Sequence, residues 1–412
     1  MSLPEPGGAA PSSLARRKLR IAVFNRTFSS SGGGAERYSI ELVEKLAARH
    51  EIHVFAQQIN HSCPGVFYHR VSAPLLKPRW VNQLWFAAAS WWSTRRGYDV
   101  VHSHENTWHG DVQTVHVLPV KYNLFQGRNG WRRLLRYIKV ATSPRLLTYL
   151  GLEHARFAAL PGRKIVVTSD SLRAIMATSY PASCPMLTVI TPGITMPEKQ
   201  LAPASKQEAK ELLGLPPAGH CLLFVGNDYK KKGLSALLNA LAQLPVEVVL
   251  AVVGNPEQIP GFRAQLTAAQ LETRVFFLGS LPDVAPAYEA ADSLIHPTLE
   301  DTFAMVVLEA MSRSLPVVVS GPKYCGIAGL LQHGVNALIL DDPRNVSSLV
   351  QTLQQLIGSP VLQQTLSMGA SGFARHYDWK ALARQQEALY FSVNADKKAA
   401  CVKRGTQPMP PV

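Results

Sequence analysis

The stretch His296-Pro-Thr-Leu-Glu-Asp-Thr-Phe-Ala-Met-Val-Val-Leu-Glu-Ala-Met-Ser-Arg-Ser-Leu-Pro316 passes from strand to helix to strand. Ser293 to His296 reads as a strand end tipped by an imidazole. Pro316 to Ser320 reads as a buried parallel strand, apolar without alternation. Between them Phe303, Val306, Val307 and Ala310 recur at helical spacing, with Thr302 placed to cap the helix. Glu300 and Asp301 therefore sit where a strand gives way to a helix N-terminus, and Glu309 lies inside the helix. Polar groups gathered at the C-terminal ends of parallel strands mark a binding crevice in open α/β sheets. The free N–H groups of a helix start suit an anionic or hydroxyl-rich ligand. On this stretch alone, a surface turn with ordinary capping acids is the alternative.

The same alternation extends in both directions. Downstream and upstream, Leu222–Gly226, Val246–Val253, Val275–Leu278 and Ala337–Leu340 read as further strands separated by helices, which makes a doubly wound domain over 204–375. In the first half, the apolar run Leu19–Phe24 is followed by a glycine-rich loop, Ser29 to Gly34, and an amphipathic helix, Ala35 to Arg49. Strands at Glu51–Phe55, Val66–Val71, Val100–His102, Val112–Val115, Ile165–Thr168 and Leu187–Ile190 complete a second such domain over 18–195. The fold class is α/β, with two doubly wound Rossmann-like domains. Residues 1–17 read as a disordered tail, Pro197–Pro203 as a linker, 376–395 as a last helix and 396–412 as a frayed tail.

Composition narrows the class. The chain has 412 residues, 47% hydrophobic and only 17% charged, enough for two sizeable cores. Lysine and arginine number 42 against 28 acids, a net charge of +14 that points to an anionic partner. Five cysteines without C-x-x-C spacing suit a reducing cytoplasm and argue against a structural zinc site. Met1 to Ser13 lack the charged and apolar regions of a signal peptide, and no run of about 18 apolar residues predicts a spanning helix.

Two turns carry candidate chemistry. At Gly33-Gly34, a backbone without side chains can approach a phosphate closely, beside a helix start. At Asn227-Asp-Tyr-Lys-Lys-Lys-Gly233, Lys231 and Lys232 stand at a strand-to-helix turn, where cations and helix N–H groups can hold a diphosphate. A flexible connector and a solvated charge run are the respective alternatives. His102, His104, His109 and His116 fall in one short window, but no carboxylate or cysteine completes a metal-ligand spacing.

These residues resemble the retaining glycosyltransferases of family 4, which have the GT-B architecture. In that family two acids eight positions apart bracket a helix start and hold a nucleotide-sugar; here they are Asp301 and Glu309. The family usually has Glu at Asp301 and Gly at Ala304, departures that leave the donor sugar open. Gly-Gly-Ala-Glu-Arg at 33 to 37 is similar to the family's loop facing the donor diphosphate, and Lys232 matches its lysine before glycine, with Lys231 as the preceding basic residue. Asn227 stands where the family often has arginine. The resemblance, which runs from about Leu19 to Ser392, implies two domains facing across a cleft and a last helix that crosses back to the first domain. It implies catalytic roles for Lys232, Asp301 and His116. It further implies donor binding by Gly33, Gly34, Asn227, Lys231, Lys232, Gly279, Thr302, Phe303, Ala304 and Glu309. Asp301 with the N–H groups of Phe303 and Ala304 would hold the sugar, Gly279 would sit where the base is read, and Glu309 would take the ribose diol. His116 would accept from a sugar hydroxyl, unless it is a satisfied core histidine. No D-x-D occurs, so the expectation is a metal-independent hexosyltransferase without cofactor, acting by front-face attack. The nearest likeness is to bacterial lipopolysaccharide core glucosyltransferases, implying UDP-glucose as donor and a lipopolysaccharide core or similar lipid-linked glycan as acceptor.

Two segments fit such an acceptor. Trp80 to Trp92 is rich in tryptophan and followed by Arg95 and Arg96. Lys121 to Lys139 interleaves Arg128, Arg132, Arg133 and Arg136 with Tyr122, Phe125, Trp131 and Tyr137. Helical spacing puts Trp131, Leu134, Leu135 and Ile138 on one face. Either this helix packs on a core with a solvated basic face, or it lies on the cytoplasmic face of an anionic membrane, making the protein peripheral. A nucleotide-sugar 2-epimerase of the same architecture and a basic nucleic-acid-binding protein are the rival functions. The reading adopted expects no nucleic acid partner, because that rival leaves the acidic helix unexplained.

Overall fold

The computed structural model describes residues 17–29, 33–75, 77–197 and 203–405. The expected tail at 1–17 and linker at Pro197–Pro203 fall mostly outside them. Seven parallel strands form the first sheet, in the order Val66–Arg70, Glu51–Ala56, Arg20–Phe24, Val100–Ser103, Val112–Val115, Lys164–Val167, Leu187–Val189. Six form the second, in the order Val275–Gly279, Val249–Val253, Cys221–Val225, Ser293–His296, Val317–Ser320, Leu338–Leu340. Helices cover both faces of each, which is why the strands read as unbroken apolar runs. Along Cys221–Val225, odd positions enter one core cluster and even positions the other.

In each sheet the strand order reverses beside the domain's first strand. The first sheet switches between Arg20–Phe24 and Val100–Ser103, the second between Cys221–Val225 and Ser293–His296. Ligands bind outside the carboxyl ends of strands at such switch points. The Gly33-Gly34 turn, the Lys231-Lys232 turn and the Asp301 turn all follow these strands.

The chain crosses between domains at two adjacent places. The Ile194 N–H donates to the Tyr377 carbonyl at 2.7 Å, and Ile194 bridges to Asp378. A Cβ on Gly193 would stand 2.7 Å from the Trp379 ring, so the crossing admits only glycine. The last helix, Trp379–Gly405, buries Trp379, Leu382, Ala383, Tyr390 and Val393 in the first domain's core. It runs ten residues past 395, and this corrects the expected frayed tail. Lys397 holds that extension, donating to the Asp99 carbonyl at 2.9 Å and the Asp111 carboxylate at 2.8 Å. These partners lie nearly three hundred residues away in sequence, so local pattern could not show them.

The basic helix Gly130–Ala141 does not pack on a core. Val140 is its one buried residue, while Trp131, Leu134, Leu135, Tyr137 and Ile138 are all exposed. Trp85, Trp91 and Trp92 of the helix Arg79–Thr94 are exposed as well. Among the described residues, no helix is long and apolar enough to cross a membrane.

Glu387 fastens the last helix. It is buried, accepts from Arg49 at 2.7 Å and pairs with His50 at 2.8 Å. Burial outweighs the attraction of Glu387 and lowers the His50 pKa. Glu387→Ala strands a buried imidazole N–H and should cost about 2 kcal/mol, measured by denaturant unfolding.

Candidate functional site

The lysine turn is shaped by Gly233. Its φ is +82°, and a Cβ there would stand 2.0 Å from the Pro297 carbonyl oxygen. Only glycine permits that approach, which lays Lys232 against the acidic turn. Lys232 Nζ donates to Asp301 Oδ2 at 2.5 Å and to the Glu300 carbonyl at 3.1 Å. Lys231 points elsewhere: its exposed ammonium pairs with Glu300 at 3.2 Å and does not line the cleft. That departs from its expected place on the donor. Asn227 does line the cleft, its carbonyl bonded by the Gln258 side chain.

Asp301 is the most strongly held carboxylate in the cleft. Burial disfavours its charge, but the hydrogen bond from His296 at 3.3 Å and the Lys232 ammonium outweigh that and hold its pKa well below the carboxylate range. Burial in turn lowers the His296 pKa, and His296 Nδ1 has no partner among the described residues. The other oxygen, Asp301 Oδ1, accepts from the N–H of Ala304 at 2.8 Å and of Phe303 at 3.2 Å. One expectation is corrected here. The helix starts at Met305, with Ala304 rather than Thr302 at its cap. The N–H groups of Phe303 and Ala304, expected at the sugar, line the cavity and are bonded by Asp301 in the same turn. The cause is Ala304, whose φ of +72° folds those N–H groups back onto the acid.

Thr302 faces the other domain. Its hydroxyl donates to the His116 carbonyl at 2.6 Å, and its own carbonyl accepts from Ser169 Oγ at 2.7 Å. Glu309 is reached from both sides too. Tyr288 donates to its Oε2 at 2.7 Å, and Arg37 of the first domain pairs with its Oε1 at 3.1 Å. Gly34 opens the helix Gly34–Ala47 with its Cα hydrogens toward Met305; a Cβ there would stand 3.4 Å from the Met305 sulfur. Gly279 ends its strand at φ +70°, and its neighbour Ser280, not Gly279 itself, lines the cleft.

The histidines separate. His104 Nδ1 meets His116 Nε2 at 2.9 Å in a parallel stack, and Tyr38 packs edge-on to His116. Burial pushes the His116 pKa down to about 3, so its ring is neutral. His102 is satisfied by Thr114 and Tyr390, both at 2.6 Å, while His109 sits apart against Phe24. Among the described residues no cluster could hold a metal ion.

One cavity of about 600 Å³ collects these groups. Gly33, Gly34, Arg37 and His116 line it from the first domain, and Asn227, Lys232, Asp301 to Ala304 and Glu309 from the second. Sequence reading missed Arg37, Tyr288 and Ser169. Arg37 lay in the Gly-Gly-Ala-Glu-Arg segment already singled out, whereas nothing local marks Tyr288 or Ser169.

Comparison with known proteins follows the same two halves. A family model described as Glycosyltransferase Family 4 matches residues 32–196, and one described as Glycosyl transferases group 1 matches residues 219–359. The lipopolysaccharide glucosyltransferase WaaG of Escherichia coli (strain K12) is 27% identical over 235 residues, 56% of this chain and 61% of that protein. A D-inositol 3-phosphate glycosyltransferase of Thermobispora bispora is 30% identical over 227 residues, 51% of each chain. These matches thus span between half and two thirds of the relatives' length. The crystal structure of WaaG superposes with a TM-score of 0.77 at 22% identity, covering 89% of this chain and 98% of that one. Anabaena HepE in complex with UDP and glucose gives 0.70 at 18% identity, covering 91% and 99%. These structural likenesses establish a common GT-B fold.

The left-handed conformation at Ala304 costs an alanine about 1 kcal/mol that glycine does not pay. Ala304→Gly should therefore raise the melting temperature by about one degree, read by calorimetry.

Proposed function

Because the chain belongs to glycosyltransferase family 4, we propose that it transfers a hexosyl group from a nucleoside diphosphate sugar with retention of configuration. The observation that carries this reading is the shared cavity, where first-domain glycines face the second domain's Lys232, Asp301 and Glu309. The bare Gly33-Gly34 backbone lets a pyrophosphate approach the helix start. Lys232 meets the charge that develops on the leaving diphosphate, the kind of preorganised stabilisation that dominates such reactions. Asp301 accepts from sugar hydroxyls, and the neutral His116 accepts a further one. Glu309 takes the ribose diol in a bidentate arrangement, and the turn at Gly279-Ser280 borders the base. The reaction proceeds without metal or cofactor, with no D-x-D carboxylates to hold a cation against the phosphates. UDP-glucose is the donor, and a lipopolysaccharide core or similar anionic lipid-linked glycan is the acceptor.

Two exposed faces support an acceptor held at a membrane. Trp131, Leu134, Leu135 and Ile138 lie uncovered on a helix that also carries Arg132, Arg133, Arg136 and Lys139, beside Arg128. Arg95 stacks on the exposed Trp92 at 3.7 Å. Aromatic rings favour the headgroup layer, and each basic residue near an anionic surface adds about 1 kcal/mol. The protein would then act peripherally, on the cytoplasmic face of the inner membrane.

A thermal shift screen across UDP-, GDP- and ADP-sugars tests the donor class, and product formed only with acceptor present separates transfer from epimerisation. Lys232→Ala should lower kcat by roughly 100-fold, while Glu309→Ala should weaken nucleotide affinity by about tenfold or more; wild-type kinetics in both would end the assignment. In sedimentation with vesicles containing anionic phospholipid, the wild-type chain should pellet, less so in high salt. Replacing Trp131, Leu134, Leu135 and Ile138 with serine should leave it in the supernatant.

A further inference from the structure

Resting on the nucleotide-sugar reading above, we propose that Arg37 is a pyrophosphate ligand held in reserve by Glu309, and that the nucleotide's ribose releases it. The charges lining the cavity make the case. Arg37 and Lys232 are its cations; Glu36, Asp228, Asp301 and Glu309 are its carboxylates. Both cations are already paired, Arg37 with Glu309 at 3.1 Å and Lys232 with Asp301 at 2.5 Å. Burial pushes the His116 pKa down to about 3, so it supplies no charge, and the His296 ring is already turned to Asp301. Among the described lining residues, an entering pyrophosphate meets no free cation.

The ribose meets a matching obstacle. Glu309 Oε2 accepts from Tyr288 and Oε1 from Arg37, so a vicinal diol must share each oxygen with a donor already seated on it. One exchange removes both obstacles. One ribose hydroxyl takes the place of Arg37 on Oε1, the other shares Oε2 with Tyr288, and the freed guanidinium turns to the pyrophosphate. Arg37 sits in the first turn of the helix Gly34–Ala47, next to the glycines that border the same cavity, and its side chain is 35% exposed. Its planar fork suits phosphate oxygens as well as a carboxylate. Tyr288 is buried and stays on Oε2, which keeps the carboxylate aimed while its other oxygen changes partner.

The exchange makes the two parts of the ligand depend on each other. A nucleoside alone must break the Arg37–Glu309 pair and gains nothing for the loose guanidinium. A nucleoside diphosphate recovers that loss at the pyrophosphate. Removing Arg37 should therefore act in opposite directions on the two ligands.

Calorimetric titration of wild type, Arg37→Gln and Arg37→Lys with uridine and UDP, guanosine and GDP, and adenosine and ADP tests this. For the pair that wild type binds, Arg37→Gln should bind the nucleoside as tightly or more tightly. It should bind the diphosphate roughly tenfold more weakly, the size of one charge-assisted hydrogen bond. Arg37→Lys should recover most of the preference for the diphosphate. An unchanged ratio of nucleoside to diphosphate affinity in Arg37→Gln, whether the two move together or not at all, overturns the exchange and leaves the nucleotide-sugar reading standing. Failure of wild type to bind any of the diphosphates overturns both.

Discussion

The cleft depends on where the turn from Glu300 to Met305 is held, and that turn is pinned from two directions. Within its own domain the Asp301 N–H donates to the Tyr324 carbonyl at 2.8 Å, and the Asp301 carbonyl accepts from Gly326 at 3.0 Å. The Phe303 carbonyl accepts from Ile327 at 3.0 Å. A Cβ on Gly326 would stand 2.0 Å from the Thr302 carbonyl, so the backbone segments lie as close as glycine allows. From the other domain, Ser169 and the His116 carbonyl bond Thr302. Buried backbone groups must find partners, and here those partners come from both halves of the chain. Thr302 is thus both a wall of the cavity and a polar link between the domains.

The cross-cleft contacts differ in kind from the contacts that build each domain. Each domain has a dry core of packed aliphatic side chains, and the last helix belongs wholly to the first domain's core. Across the cleft stand the Thr302 bonds, the Arg37–Glu309 pair and Met305, which packs against cores on both sides. Polar contacts exchange readily with water, and Met adapts to shifted surroundings. Opening about the paired crossings at Ile194 and Tyr377 would therefore sacrifice little core packing, as expected of a domain-closure hinge.

Much of this was legible in the sequence, and what was not has identifiable causes. Apolar runs without alternation gave the parallel strands, because both sheet faces are covered. The glycine and lysine turns were locatable because each follows a strand at a switch point. Three matters escaped. The apolar spacing of the acidic helix begins at Phe303, but the left-handed Ala304 delays the helix to Met305 and frees Thr302 to turn outward. In the lysine run, sequence cannot say which ammonium faces the cleft; the close approach at Gly233 selects Lys232 and leaves Lys231 to solvent. Arg37 and Tyr288 reach Glu309 from 272 and 21 residues away, and contacts of that separation have no local pattern.

The two departures from the family pattern at this site explain each other. Ala304 adopts the conformation that a glycine would take freely, at a cost of about 1 kcal/mol. Asp301 offsets that cost, since its Oδ1 accepts both N–H groups that the left-handed turn presents. Charge-assisted bonds of this sort contribute about 1.5–3 kcal/mol each, more than the strain. The short acid and the alanine therefore form a unit. Together they keep the carboxylate back against its own turn, with Lys232 and His296 on its other oxygen. They leave the cavity bounded on that side by an acid whose two oxygens already accept from four donors.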